Sequence, residues 1–269
     1  MSLPLPISTK WTRKRPDPLE EPFIHIVLFF AGTAAGIIDS IAGGGGLIAL
    51  PALLSAGLPP QVALGTNKFQ SVFGTATAAY HYRRSGLVRF REERFGFIVT
   101  FIFAGIGAWV VQLVDSRLLG YIIPLFLLFI AVYTVVTPSL GKVQTHQRLS
   151  KQTFFALAGA LLGFYDGFFG PGVGSFWAIA FMSLMGYEIR KATAHTKVMN
   201  LSSNIISVIV FTAGGSVMFA YGAAMAMGQI IGARIGARLA VRKGIAVIRP
   251  VYIVVVFSTI LKLVYDRFF

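Results

Sequence analysis

The sequence predicts an all-α polytopic membrane protein of about eight transmembrane helices, built from a four-span internal duplication with a Gly-rich break near the first helix of each half. Three observations carry this. Hydrophobic residues make up 55% of the 269-residue chain and charged residues 13%, against about a quarter charged in soluble domains; mean hydropathy is +0.73. The charge is gathered in clumps between long uncharged runs. A motif of one Asp followed by glycines occurs twice, once in each half.

Other classes fall away on composition. The 24 Phe, 9 Tyr and 3 Trp are too many for a solvated disordered chain. Without Cys there is no disulfide, thiolate metal site or thiol nucleophile. Lys plus Arg is 24 and Asp plus Glu is 10, a net charge of +14. Clumped between apolar runs, that excess matches the cytoplasmic loops of a membrane protein rather than a nucleic-acid-binding face. A membrane barrel would alternate polar and apolar residues at short period, and this chain does not.

Taken in order, residues 1–22 read as a flexible basic tail, with Lys10, Arg13, Lys14 and Arg15 among Pro4, Pro6, Pro16, Pro18 and Pro22. No small-residue cleavage site follows, so a removed signal peptide is not expected. Charge-free runs then cover 22–38, 40–67, 69–82, 95–114, 118–141, 152–165, 167–187 and 198–233, with a last apolar stretch at 250–261. The runs 95–114 and 118–141 are single spans joined at Asp115-Ser116-Arg117, and 198–233 holds two spans with Gly214-Gly215 as the break. The division is a tail (1–22), a first repeat (23–140), a basic linker (141–152) and a second repeat (153–269). The tail, the Arg83, Arg84, Arg89, Arg91, Arg94 clump and the Lys142, Arg148, Lys151 clump favour the cytoplasm, which puts the N-terminus there. The cluster Arg234, Arg238, Arg242, Lys243, Arg249 would then fall on the opposite side, unless some of these arginines do not belong to a loop.

The repeat aligns Gly36–Gly46 with Gly163–Val173, identical at four of eleven positions, and then Ala63 and Lys68 with Ala192 and Lys197, and Pro124 with Pro250. The shifts are 127, 129 and 126 residues. The glycine clusters interrupt apolar stretches, 23–56 at Asp39 to Gly46 and 153–186 at the equivalent place, with Pro171 added. Glycine costs about 1 kcal/mol and proline about 3 kcal/mol in a helix interior, so the clusters predict unwound backbone. Within a membrane such backbone survives only where protein or a water-filled cavity covers it, and paired breaks in equivalent halves point to a transporter's binding site. The alternative is close helix packing through small residues.

The chemistry converges on these breaks. Asp39 and Asp166 precede them, and a charged Asp in hydrocarbon costs at least about 2.5–3.5 kcal/mol. Each therefore caps a helix, pairs with Lys68 or Lys197, carries a proton, or lies at an interface. The lysines either balance charge in a lined cavity or snorkel to the headgroups. Thr66, Asn67, Gln70 and Ser71 surround the first Lys; His195, Thr196, Asn200, Ser202, Ser203 and Asn204 surround the second. Free N–H groups of Gly43, Gly44, Gly45, Gly170 and Gly172 at a helix start form an anion site. The candidate substrate-binding set is Asp39, Gly43, Gly44, Gly45, Asn67, Lys68, Asp166, Gly170, Gly172, His195, Lys197 and Asn200. Arg234 and Arg238 either contribute or mark a helix end. No catalytic, metal or cofactor site is expected: the histidines are scattered, Gly141-Lys142 is followed by Val143 rather than Ser or Thr, and no GxSxG occurs.

The segments GIIDSIAGGGGLIALPALLSAGL, LGTNKFQ, GFYDGFFGPGVGS, TAHTKVMNLSSN and GARIGARLA resemble the TauE/SafE-type family of sulfite-exporter-like membrane permeases, over 24–266. The resemblance implies an eight-span bacterial inner-membrane protein made by a four-span duplication, and transport of sulfite, sulfonates or other small organic anions, often outward. Gly44 stands opposite Pro171 and Thr66 opposite His195, so the halves need not bind the same group. The expectation is a secondary permease for a small anion, with a passive channel or a membrane-embedded enzyme as rivals. Its partners are membrane lipids and the anion, not nucleic acid; a homo-oligomer is compatible with the sequence.

Overall fold

The computed structural model describes residues 20–136 and 146–243. They form helices joined by short turns, with no strand among them. The first half runs α1 (Glu20–Ala42), α2 (Gly46–Ser55), α3 (Pro60–Arg84), a 3-10 turn (Phe90–Glu93), α4 (Arg94–Gln112) and α5 (Ser116–Val136). The second runs α6 (Lys151–Phe168), α7 (Val173–Met185), α8 (Ile189–Ala213) and α9 (Phe219–Lys243). Most of the basic tail, residues 137–145 across the end of the 23–140 segment and the start of the linker, and the last apolar stretch with Pro250 lie outside the described residues.

Both sequence breaks are breaks in the structure, each narrower than expected. The first helix runs past Asp39 to Ala42, and the second helix starts at Gly46. The sixth continues past Asp166 to Phe168, and the seventh starts at Val173. Gly43 (φ +77°), Gly170 (φ +93°) and Gly172 (φ +80°) turn the chain in the left-handed region, where an L side chain is strained. Asp39 and Asp166 thus sit in the last helical turn before each gap. The split of 198–233 also holds: α8 ends at Ala213, Gly214 and Gly215 turn the chain, and α9 starts at Phe219. Arg234 and Arg238 are exposed residues inside α9 rather than in a loop.

Polarity is distributed inside out. Among the described helices three are long and apolar enough to cross a membrane, over Glu21–Ala42, Phe90–Gln112 and Ile189–Ala213. On α4 the exposed side chains Phe95, Ile98, Ile102, Ile106 and Trp109 recur every three or four residues, a stripe that suits a hydrocarbon solvent. On α3 the buried face carries Thr66, Asn67, Lys68, Gln70 and Thr75. On α8 it carries His195, Lys197, Asn200, Ser203 and Asn204. Polar groups face inward because only protein partners can satisfy them there.

Small residues set how closely the helices approach. α1 packs along α9, and α6 along α4, while α3 touches α8 and α9 and α8 touches α3 and α4. A Cβ on Gly167 would lie 1.9 Å from the Ala104 carbonyl oxygen, and one on Gly232 would lie 2.1 Å from that of Thr33. Close packing through small residues therefore coexists with the breaks, on different glycines. Gly167→Ala should lower stability by about 1–3 kcal/mol or more, because the obstacle is backbone. Thermal unfolding of the purified protein checks this; an unchanged midpoint would mean α6 and α4 separate freely.

Candidate functional site

The two breaks meet. A Cβ on Gly43 would lie 2.4 Å from the Gly174 Cα, and one on Gly46 would lie 3.2 Å from the Pro171 Cα. The Ser175 hydroxyl donates to the Ala42 carbonyl at 2.9 Å. α3 and α8 flank this crossing and bring one lysine to each carboxylate.

The pairing is crossed between the halves. Lys68 on α3 reaches Asp166 on α6 and donates to its Oδ1. Lys197 on α8 donates to Oδ2 of Asp39 on α1 at 2.9 Å. Asp166 is further held by the Ser203 hydroxyl at Oδ2. Asp39 Oδ1 lies 3.4 Å from the Gly45 N–H, a long contact at the start of α2. Of the alternatives left by the sequence, charge pairing is the one both aspartates realise; the capping contact belongs to Asp39 alone. Lys68, Asp166 and Lys197 side chains are at most 3% exposed, and that of Asp39 is 15% exposed. Burial of this depth is tolerated because each charge has a direct partner.

A cavity opens beside the pairs. Of the candidate residues it is lined by Asp39, Gly43, Asn67, Lys68, Asp166, Gly170, Gly172 and Asn200. It offers about 30 Å³ to the centre of a water-sized sphere, room for about two waters. Gly46, Ser71, Thr75, Val173 and Asn204 also line it. Helical spacing contained a signal for three of these. Lys68, Ser71 and Thr75 are three and then four residues apart on one face of α3, as Lys197, Asn200 and Asn204 are on α8. The Asn204 amide reaches toward the Thr75 hydroxyl at 3.5 Å, linking the two faces. The Asn200 side-chain oxygen is buried without a protein partner.

Four candidates stand apart from the cavity wall. Gly44 and Gly45 lie in the gap before α2 without lining it, and Lys197 is wholly buried behind Asp39. His195 turns elsewhere. Its Nδ1 is 3.1 Å from Glu93 Oε2, an ion-pair distance without hydrogen-bond alignment. Its ring packs on Tyr187 and Phe181. Glu93 also accepts from Lys151 Nζ at 2.9 Å and has no exposed side-chain surface. Burial pushes the Tyr187 hydroxyl up, and the nearby Glu93 and Glu92 add to this. The sequence placed no role on Glu93, because a Glu among Arg89, Arg91 and Arg94 looks like ordinary surface charge. Thr66, which the sequence alignment of the two halves sets against His195, instead accepts the Met218 N–H at 2.9 Å. Arg234 and Arg238 do not line the cavity.

The relatives agree with this architecture. The family model for sulfite exporter TauE/SafE matches residues 28–263. The chain is 42% identical over 245 residues to the probable membrane transporter protein YfcA of Escherichia coli K12, covering 91% of each chain. It is 42% identical over 241 residues to a probable membrane transporter protein of Haemophilus influenzae, covering 90% of this chain and 94% of that one. A more distant relative, the probable membrane transporter protein YunE of Bacillus subtilis, is 25% identical over 239 residues. No solved structure gives a significant match. With a family match over most of its length and such identities at full coverage, this chain belongs to the TauE/SafE family of membrane transporters.

Proposed function

We propose that the chain is a secondary transporter of a small anion, of the sulfite or sulfonate class, and that the cavity between the two breaks is its binding site. The observation that carries this is the pair of crossed ion pairs, Lys68–Asp166 and Lys197–Asp39, joining the two halves beside unwound glycine backbone. A buried ammonium on the cavity wall suits an oxyanion; the backbone contributes less than the sequence suggests, because the Gly43 and Gly170 N–H groups donate to the Asp39 and Tyr165 carbonyls and that of Gly45 points to Asp39 Oδ1. The family description names sulfite as cargo; a sulfonate has a similar oxyanion head. The partners on both sides of the break are lysine–aspartate ion pairs rather than a nucleophile with its base, so the reading is a transporter rather than an enzyme.

The duplication is part of the same proposal. Under the sequence match α1 corresponds to α6, α3 to α8 and α4 to α9. The packing of α1 on α9 and of α6 on α4 then becomes one contact seen twice. About eight spans follow if 250–261 supplies the last, and the basic tail and the 83–94 clump place the N-terminus in the cytoplasm of a bacterial inner membrane. Purified protein in proteoliposomes, given labelled sulfite and C1–C3 sulfonates, should show saturable uptake that is faster when the same anion is inside. Unsaturable flux without counterflow would make it a channel; no flux of any of these anions would remove the reading.

A further inference from the structure

Resting on that reading, we propose that the transporter moves one proton with each monovalent anion, that Asp166 is the residue that carries the proton, and that Asp39–Lys197 is a fixed clamp rather than a second coupling pair.

The argument starts from charge. The cavity wall carries Asp39, Lys68 and Asp166, and Lys197 stands behind Asp39, so two lysines and two aspartates are joined there as two pairs. If all are charged they sum to zero. An anion added to this buried site leaves one uncompensated negative charge, which a low-dielectric interior resists strongly. A proton arriving on one carboxylate restores balance and frees that carboxylate's lysine for the anion. The step balances as written: an ionised Asp paired with a protonated Lys, plus H⁺ plus anion, becomes a neutral Asp carboxylic acid and a Lys–anion pair. No covalent bond to the anion forms.

The two pairs are unequal, and the inequality selects Asp166. Lys68 lines the cavity, whereas Lys197 does not and is 0% exposed. An anion in the cavity therefore meets the Lys68 ammonium directly; freeing Lys197 from Asp39 would bring no ammonium to it. Asp166 also has a partner suited to both protonation states. The Ser203 hydroxyl lies within hydrogen-bond reach of Asp166 Oδ2 and also 3.0 Å from the Asn200 carbonyl. With Asp166 ionised, that hydroxyl donates to the carboxylate. With Asp166 protonated, the acid donates to Ser203 Oγ and the hydroxyl turns to the Asn200 carbonyl. One bond rotation keeps the Asp166 carboxyl and the Ser203 hydroxyl bonded to each other in both states. Among the described residues no hydroxyl bonds Asp39; its second contact is the long one from the Gly45 N–H, which can only donate.

The remaining groups around each carboxylate do not offer a competing proton site. Facing Asp166 are Lys68 from α3, Ser203 from α8 and the neighbouring Tyr165, whose hydroxyl donates to the Pro171 carbonyl at 2.8 Å. From α4, Thr100 and Ala104 lie against α6 at Gly163 and Gly167, and neither titrates. Facing Asp39 are Lys197 from α8 and Tyr82 from α3, whose hydroxyl donates to the Ser40 carbonyl at 2.7 Å.

The probe is methanesulfonate, a monoanion across the working pH range. In proteoliposomes of the full chain, a one-unit pH gradient, acid outside, should accumulate it up to about tenfold. An imposed membrane potential should have no effect, since anion plus proton is neutral. An external pH dye should report about one proton taken up per anion. Asp166→Asn should still exchange methanesulfonate but lose the pH drive, and its flux should become sensitive to potential. Asp39→Asn, at whatever lower rate, should keep the pH drive. If Asp166→Asn does not reach the membrane, Asp166→Glu should retain coupling with a displaced pH midpoint. Saturable methanesulfonate exchange without proton movement in the wild type overturns this inference alone and leaves the anion carrier standing. PH-driven accumulation surviving in Asp166→Asn, an unshifted midpoint in Asp166→Glu, or loss of coupling in Asp39→Asn, overturns the assignment to Asp166.

Discussion

Lys68→Ala should abolish saturable anion uptake and lower the stability of the folded protein by about 3–5 kcal/mol, the usual consequence of leaving one buried charge without its partner. Lys68 and Asp166 are each about 3% exposed on their side chains, so water cannot take the missing ammonium's place. The double variant Lys68→Met, Asp166→Asn should regain much of that stability, because no lone charge remains, yet should stay inactive, because the cavity's cation is gone. Arg89→Ala supplies the contrast. Its side chain is 82% exposed and lies 3.6 Å from an exposed Glu92, a contact worth little in water. Uptake and melting temperature measured on the same preparations separate the two losses. Equal uptake in Lys68→Ala and Arg89→Ala would mean Lys68 is structural only.

Glu93→Ala should also be severe, costing about 3–5 kcal/mol by the same mechanism, whereas Glu92→Ala should leave stability unchanged. The two residues are adjacent in sequence and opposite in environment. Glu93 has no exposed side-chain surface and meets Lys151 at the start of α6 and His195 on α8. Glu92 is 54% exposed. Glu93 thus ties the turn before α4 to α6 and α8, two residues along α8 from the lysine that holds Asp39. Thermal unfolding of the two variants decides; equal shifts for the Glu92 and Glu93 variants would mean the cluster carries no stability.

Much of the site could be read in advance, for a definite reason. In a membrane chain the solvent is apolar, so a lysine or aspartate inside an uncharged run stands out, although the sequence leaves open whether it is paired, capping, protonated or at an interface. That singled out Asp39, Lys68, Asp166 and Lys197. Glycine's helix cost located both gaps, and the gaps do lie between Ala42 and Gly46 and between Phe168 and Val173. The edges were misplaced by a few residues because Asp39 and Asp166 are compatible with helix until a left-handed glycine forces the turn. Thr75 was overlooked because a Thr in an apolar run ordinarily bonds back to its own helix, as its hydroxyl does here to the Ser71 carbonyl.

By itself, then, the sequence determined the helical membrane architecture, the two gaps and the set of buried charges, because each of these is set by local composition against an apolar solvent. Tertiary structure decided who meets whom. Helical periodicity puts Lys68 and Lys197 on equivalent faces of α3 and α8, but it says nothing about which neighbour each face opposes. Only the packing of helices about a hundred residues apart pairs Lys68 with Asp166 and Lys197 with Asp39. The same packing leaves the first lysine on the cavity wall, buries the second behind its carboxylate, and turns His195 away toward Glu93. Equivalent sequence positions thereby acquire unequal surroundings, since a buried charge is governed by the few atoms around it rather than by its own position along the helix.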